Sequence, residues 1–216
     1  MARTSFPRLF CGETSEAREL HRMATRVLLP ADEIIFLDGE SADSAFGVSE
    51  GVVRLFKLMP DGRRQIVGLT LPGEFIEMPM IDQHRHSATA IGKVALFRFS
   101  REQLVRHIRS NSNLMSLLID FATRQLNMAQ DQLLMLGKGS AEEKVSFFLV
   151  TWRNRMAALE PVPEYLPLPM WREDIADFLG LTVETVSRTL SKLEKKNAIR
   201  IVPKGVLLTG LGANPT

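Results

Sequence analysis

Ser187 and Arg188 follow Glu184 by three and four residues, a spacing that sets all three side by side on one face of a helix. Together they offer a carboxylate acceptor, a hydroxyl and a planar guanidinium fork. Those types suit the edges of base pairs in a major groove: arginine bonds guanine through two donors, glutamate accepts from the amino group of cytosine, and serine meets either kind of edge or a thymine methyl. Polar side chains on an exposed helix are ordinarily just solvated, so the reading depends on what positions them. Between Val183 and Lys204 six basic residues, Arg188, Lys192, Lys195, Lys196, Arg200 and Lys204, stand against Glu184 and Glu194. A basic excess sits where a DNA-contacting face would be, although a solvated helix face carries the same signature.

The elements that must hold these residues are legible on either side. Two short helical patterns within 171–196 are joined by Leu179-Gly180-Leu181-Thr182. In a helix-turn-helix of about twenty residues beginning at Arg172, the fifth position must be small where the helices cross. The ninth favours glycine for a positive backbone angle, and the fifteenth must be a buried aliphatic. Ala176, Gly180 and Val186 meet the three demands together. Thr182 stands where it would cap the second helix. Beyond it, 199–202, the turn Pro203-Lys204-Gly205 and 206–209 read as a β-hairpin, a wing with Lys204 at its tip placed to touch phosphate.

Upstream, apolar residues recur from Met115 at Ile119, Ala122, Leu126, Ala129, Leu133 and Leu136, in steps of 4, 3, 4, 3, 4 and 3. Such a heptad seam, with small alanines at two core positions, lets two helices approach closely and predicts a homodimer through 115–136. A helix packed on its own domain is the other reading, and Leu114, Leu118 and Phe121 on an adjacent face would serve it. Gly137-Lys138-Gly139 punctuates the helix; Ser140, with Glu143 three residues later, marks the start of another that runs to about residue 158. The proline-rich 160–169 reads as a connector. Across 27–100, apolar runs are broken by Pro30, Asp38-Gly39, Glu50-Gly51, Pro60-Asp61-Gly62 and Pro72-Gly73, the pattern of stacked β-hairpins. A short helix is expected before it, over 15–26.

The length of 216 residues suits two modest domains, and 45% hydrophobic with 24% charged residues is ordinary for a globular chain. A net charge of +2 does not by itself announce a nucleic-acid partner. No stretch approaches the roughly 18 apolar residues of a membrane span, and the N-terminus shows no secretory pattern, so a cytoplasmic protein without a membrane partner is expected. The single cysteine, Cys11, excludes an intrachain disulfide and an iron–sulfur cluster held by four cysteines of one chain. Neither a glycine-rich phosphate loop, nor a metal-ligand spacing, nor a nucleophile signature is present, so no enzyme and no cofactor are expected. His84 and His86 flank Arg85 but nothing else clusters with them, which favours exposed or hydrogen-bonded histidines over haem or metal ligands.

With these pieces in order, the chain resembles the superfamily of the cyclic-AMP receptor protein and the fumarate–nitrate reduction regulator, and most of all its FixK-like branch. The likeness covers nearly the whole chain; its most specific stretch is Asp174-Ile175-Ala176-Asp177-Phe178-Leu179-Gly180-Leu181-Thr182-Val183-Glu184-Thr185-Val186-Ser187-Arg188. The resemblance implies an α+β chain: a sensory antiparallel β-roll over 1–109 like a cyclic-nucleotide-binding domain, a dimerisation helix over 110–137 and a winged helix-turn-helix over 138–216. It also implies base reading by Glu184, Ser187 and Arg188 at a TTGAT-type inverted repeat, backbone contacts from Arg172, Thr182 and Thr185, and an activator that touches RNA polymerase. A regulator of the same fold that needs a small-molecule effector in the β-roll is the alternative, with Glu74, His86 and Ser87 as its candidate pocket. Two departures bear on the signal. The cluster-binding cysteines are missing, and where the cyclic-AMP receptor has Gly-Glu-Leu-Gly and Arg-Ser-Ala this chain has Gly73-Glu74-Phe75-Ile76 and His86-Ser87-Ala88. A cyclic phosphate wants a bidentate guanidinium and close backbone donors, so cyclic-nucleotide binding is not expected. Trp171, where the family has Ser or Thr, puts a helix cap and a phosphate contact in question.

Overall fold

The computed structural model describes residues 15–159 and 165–210; Cys11 and part of the expected connector lie outside them. Among the described residues the chain divides into two compact units between Asn127 and Met128. In the first, α1 (Ser15–Met23) precedes β1 (Thr25–Leu29), β2 (Ile34–Phe36), β3 (Ser44–Leu58), β4 (Arg64–Thr70) and β5 (Ser87–Ser100), followed by α2 (Arg101–Ser110) and the start of α3 (Ser112–Lys138). The strands form an antiparallel sheet in the order β1-β5-β3-β4, with β2 also on β5.

Two long strands carry this sheet. β3 and β5 pair from Ser44 opposite Ser100 to Phe56 opposite Ser87, with register shifts around Glu50. The Glu50-Gly51 break is a bulge inside β3 rather than a turn between strands. Gly51 has φ +84°, and a Cβ there would stand 2.6 Å from the Lys93 carbonyl oxygen. The extra residue coils the strand without reversing it. At Asp61-Gly62 the chain does reverse, Gly62 taking φ +83° between β3 and β4.

One core cluster lies between strand residues such as Val48, Val53 and Leu96; the other joins Phe75, Phe99 and Leu104 to Leu114, Leu118 and Phe121 of α3. The latter three are the adjacent helix face foreseen from the sequence. Of the heptad positions of α3, Met115 packs against this same core, whereas Ile119, Leu126 and Leu133 point elsewhere and are 57%, 58% and 70% exposed. α3 thus has one face that closes the first unit's core and another, with leucine or isoleucine every seven residues, that does not.

The second unit holds the end of α3, α4 (Ala141–Ala157), β6 (Tyr165–Pro167), α5 (Arg172–Leu179), α6 (Val183–Lys195), β7 (Ile199–Val202) and β8 (Gly205–Leu208). α4 opens with the expected box: Ser140 Oγ accepts from Glu143 N at 3.3 Å and Glu143 Oε2 accepts from Ser140 N at 2.8 Å. Its buried Val145, Leu149 and Trp152 form the floor of the unit. The connector hides a strand: β6 pairs with β8, Leu166 opposite Val206, so the wing is a three-stranded sheet in the order β6-β8-β7. Pro167 is tolerated because β6 is an edge strand.

Candidate nucleic-acid interface

The turn before α6 follows the demands read from the sequence. Gly180 closes α5 in the left-handed region (φ 61°, ψ 42°), its N–H donating to the Ala176 carbonyl. Ala176 and Val186 are buried where the two helices meet. Thr182 then starts α6, its Oγ1 accepting from Thr185 N at 3.2 Å and lying 3.0 Å from Thr185 Oγ1. Past this cap, Val186, Thr189, Leu190 and Leu193 form the buried face of α6. Glu184 and Arg188 are exposed and Ser187 half-buried on the opposite side.

Hydrogen bonds give these three side chains defined roles. Arg188 Nε donates to the Glu184 carbonyl at 3.4 Å, and no other bond among the described residues engages its fork. The Glu184 carboxyl is held below its ordinary titration value by its own backbone N–H, the Thr182 hydroxyl and the charge of Arg188, so it stays a pure acceptor. Arg172, first residue of α5, donates from Nη1 to Ser187 Oγ at 3.1 Å. The structure therefore gathers Arg172, Thr182, Glu184, Thr185, Ser187 and Arg188 on one polar surface. Trp171 precedes α5 at 75% exposure. An indole has only a donor, so the cap rests on the other half of the box, Trp171 N donating to Asp174 Oδ2 at 3.1 Å.

The basic excess is smaller at this surface than the sequence suggests. Lys192 and Lys196 both reach Glu142 on α4, the former at 2.8 Å. Glu194 is also engaged, accepting from Ile201 N of β7 at 2.7 Å. All six basic residues remain exposed, Lys192 and Lys196 included. Sequence reasoning missed Glu142, whose partners lie 50 and more residues away with no local pattern to announce them. Lys204 occupies the wing tip with φ 59°. Its carbonyl accepts from Tyr165 Oη and Leu168 N, both at 2.9 Å, which pins the tip to β6 and its flank. Gly205 is required beside it, because a Cβ there would meet the Leu166 carbonyl oxygen at 2.4 Å.

Of the seam, Met115 and Ala122 are half-buried and Ile119, Leu126, Ala129 and Leu133 exposed. Leu136 turns toward the helix-turn-helix, 3.7 Å from where a Cβ on Gly180 would stand, and Gln132 Nε2 donates to the Phe178 carbonyl at 3.4 Å.

In the β-roll, each of the three candidate effector residues already has a hydrogen-bond partner. Glu74 Oε2 accepts from Leu71 N at 2.9 Å, and Ser87 Oγ accepts from Asp38 N at 3.1 Å. His86 instead joins His84 on Glu77: the Nδ1 atoms stand 2.9 and 2.8 Å from its two oxygens, and Arg85 N donates at 3.2 Å. An ionised carboxylate only accepts, so each imidazole carries its proton on Nδ1. His84 also stacks on Phe36, ring centroids 3.6 Å apart. A cavity of about 10 Å³, the space of one water, lies nearby, lined by Glu77 and His84 but by none of Glu74, His86 and Ser87.

Burial raises the Glu77 titration, but the bonds from His86, His84 and the Arg85 N–H outweigh it and hold the carboxyl below its ordinary value. A depressed carboxyl stabilises the fold above its unfolded value and loses that contribution as pH falls through the folded one. Glu77→Gln is therefore expected to lower the unfolding temperature at about pH 7. The gap to wild type should narrow as pH falls below the carboxylate range toward about pH 3. Thermal unfolding followed by circular dichroism checks this; a gap that stays constant with pH would refute it.

Comparison with known proteins agrees with this architecture. The family described as "Cyclic nucleotide-binding domain" matches residues 26–111, and "Bacterial regulatory proteins, crp family" matches 168–199. The transcriptional activatory protein AadR of Rhodopseudomonas palustris is 50% identical over 198 residues, covering 91% of this chain and 83% of the relative. The nitrogen fixation regulation protein FixK of Bradyrhizobium diazoefficiens is 44% identical over 91% of this chain and 83% of its own. Among solved structures, FixK2 from Bradyrhizobium japonicum superimposes with a TM-score of 0.80 at 32% identity, over 89% of this chain and 99% of that one. A capped helix behind a glycine turn, a β-roll and relatives this similar lead to one assignment: the chain belongs to the superfamily of the cyclic-AMP receptor protein and the fumarate–nitrate reduction regulator, in its FixK-like branch of DNA-binding transcription regulators.

Proposed function

We propose that this chain is a transcription activator that binds a TTGAT-type inverted repeat as a two-fold homodimer and acts there with RNA polymerase in the cytoplasm. Residues 1–109 form its sensory β-roll, 110–137 the dimer helix and 138–216 the DNA-binding module. Glu184, Ser187 and Arg188 read bases, while Arg172, Thr182, Thr185 and Lys204 hold the backbone. The observation that carries this reading is the shared outward face of Glu184, Ser187 and Arg188 on a helix whose other face is buried and whose start is capped by Thr182. Selection of fragments from a random DNA pool, without added small molecule, tests it. The expected product is two TTGAT-like half-sites in inverted order, about one helical turn or roughly 34 Å apart. Enrichment of an unrepeated sequence would contradict the proposal.

The β-roll is expected not to bind cyclic AMP at micromolar concentration. Ile76, almost fully buried, stands where the cassette needs a glycine, and the imidazole of His86 is committed to Glu77. Neither supplies the guanidinium fork that a cyclic phosphate requires. Isothermal calorimetry reads the result directly; micromolar heat that disappears in Glu74→Ala would reverse the conclusion.

A further inference from the structure

We propose that Arg172 is a specificity-determining residue: from the first helix of the reading head it sets the Ser187 hydroxyl as a hydrogen-bond donor, and so chooses which base edge Ser187 accepts as its partner. The inference rests on the proposed base-reading role of Ser187. A serine hydroxyl can both donate and accept, and on its own it discriminates poorly between edges. A guanidinium only donates and does not lose its proton. Arg172 Nη1 at 3.1 Å from Ser187 Oγ therefore makes the serine oxygen the acceptor. No acceptor among the described residues takes the serine proton; the neighbouring Ser191 hydroxyl turns to the Ser187 carbonyl instead, and Thr182 and Thr185 bond each other.

Two consequences follow from that single contact. The O–H vector is biased away from the cation and toward the open side of the helix. The positive charge on its lone pair strengthens the hydroxyl as a donor and weakens its second lone pair as an acceptor. So armed, Ser187 favours an acceptor edge, N7 or O6 of guanine, N7 of adenine or O4 of thymine, over the amino group of cytosine. The rest of the Arg172 fork stays available for a phosphate. One side chain then couples register on the backbone to the polarity of a base contact. Lysine cannot replace it, because its compact ammonium lacks the fixed fork that serves two partners at once.

Binding titrations against the selected site and all its single-base changes, at low and moderate salt, separate the charge of Arg172 from its fork. Arg172 is exposed, and the half-buried Ser187 lies off the buried face of α6, so the variants are expected to unfold at the wild-type temperature. Ser187→Ala should flatten preference at one base position by about tenfold, the scale of one charge-assisted bond. Arg172→Lys should lose most of the same preference while keeping the salt slope. The double variant Arg172→Lys/Ser187→Ala should lose no more at that position than Ser187→Ala alone. Arg172→Lys with the preference intact, alongside Ser187→Ala without it, overturns the role of Arg172 and leaves Ser187 reading the base. Ser187→Ala with every preference unchanged overturns the base-reading of Ser187 itself, and the role of Arg172 with it.

Discussion

Leu126→Glu should convert the protein from a dimer to a monomer at micromolar concentration. Leu126 sits mid-way along the outward stripe of α3, with Ile119 one heptad before it and Leu133 one after. Across a two-fold axis each substitution acts twice, since the same patch forms both sides of the contact. Withdrawing one buried leucine costs about 1.5–3 kcal/mol, so the pair costs roughly 3–6 kcal/mol before any penalty for the new carboxylates. At about 1.4 kcal/mol per tenfold, the dimer constant weakens by roughly a hundredfold or more. Two like charges facing each other add to that. On the single protomer the side chain is 58% exposed and belongs to neither core cluster, so the variant keeps its own fold. Sedimentation equilibrium paired with circular dichroism distinguishes the outcomes. A folded Leu126→Glu protein that still sediments as a dimer would end the assignment of this seam.

The helix-turn-helix was legible because its demands are local. Ala176, Gly180 and Val186 each answer a steric demand set by residues within fifteen positions, and the glycine angle and the two burials follow that local logic. Of the expected hairpins, the one at Asp61-Gly62 was legible on the same footing; β1 and β2 pair with β5 instead of with their chain neighbours, and no reversal occurs at Gly51. There a positive φ is used for a bulge, and the sequence of a bulge and of a turn are alike; only the partner strand, through the Lys93 carbonyl, decides between them. β6 escaped because three residues ending in proline hold too little pattern, and its strand character comes from β8 across the sheet. The contacts that tune the site were hidden for a related reason. Glu142 with Lys192 and Lys196, Arg172 on Ser187, and Glu77 between histidines seven and nine residues on are pairings that the fold makes, and residue types alone do not say which charges meet. Glu142 therefore offsets one charge of the six cations counted.

Arg188→Ala should both weaken binding and erase a preference, which separates base reading from attraction to phosphate. The Arg188 fork lies exposed on the outward face of α6, its Nε steadied by the Glu184 carbonyl one turn earlier. A bidentate contact from such a fork to guanine O6 and N7 contributes about 1–3 kcal/mol of discrimination. Each dimer carries two of them, so the loss on the full inverted repeat is roughly 2–6 kcal/mol, with the guanine in each half-site becoming nearly interchangeable. Lys204→Ala at the wing tip is the contrasting case. A phosphate contact carries no sequence information, so every site should weaken alike and the salt slope should fall by roughly one unit for each half-site. The wing itself survives the change, because the Lys204 carbonyl rather than its ammonium bonds Tyr165 and Leu168. Titrating both variants against the selected repeat and its single-base changes, at two salt concentrations, resolves the pair. Unaltered discrimination at the guanine in Arg188→Ala would mean that α6 does not enter the groove with this face.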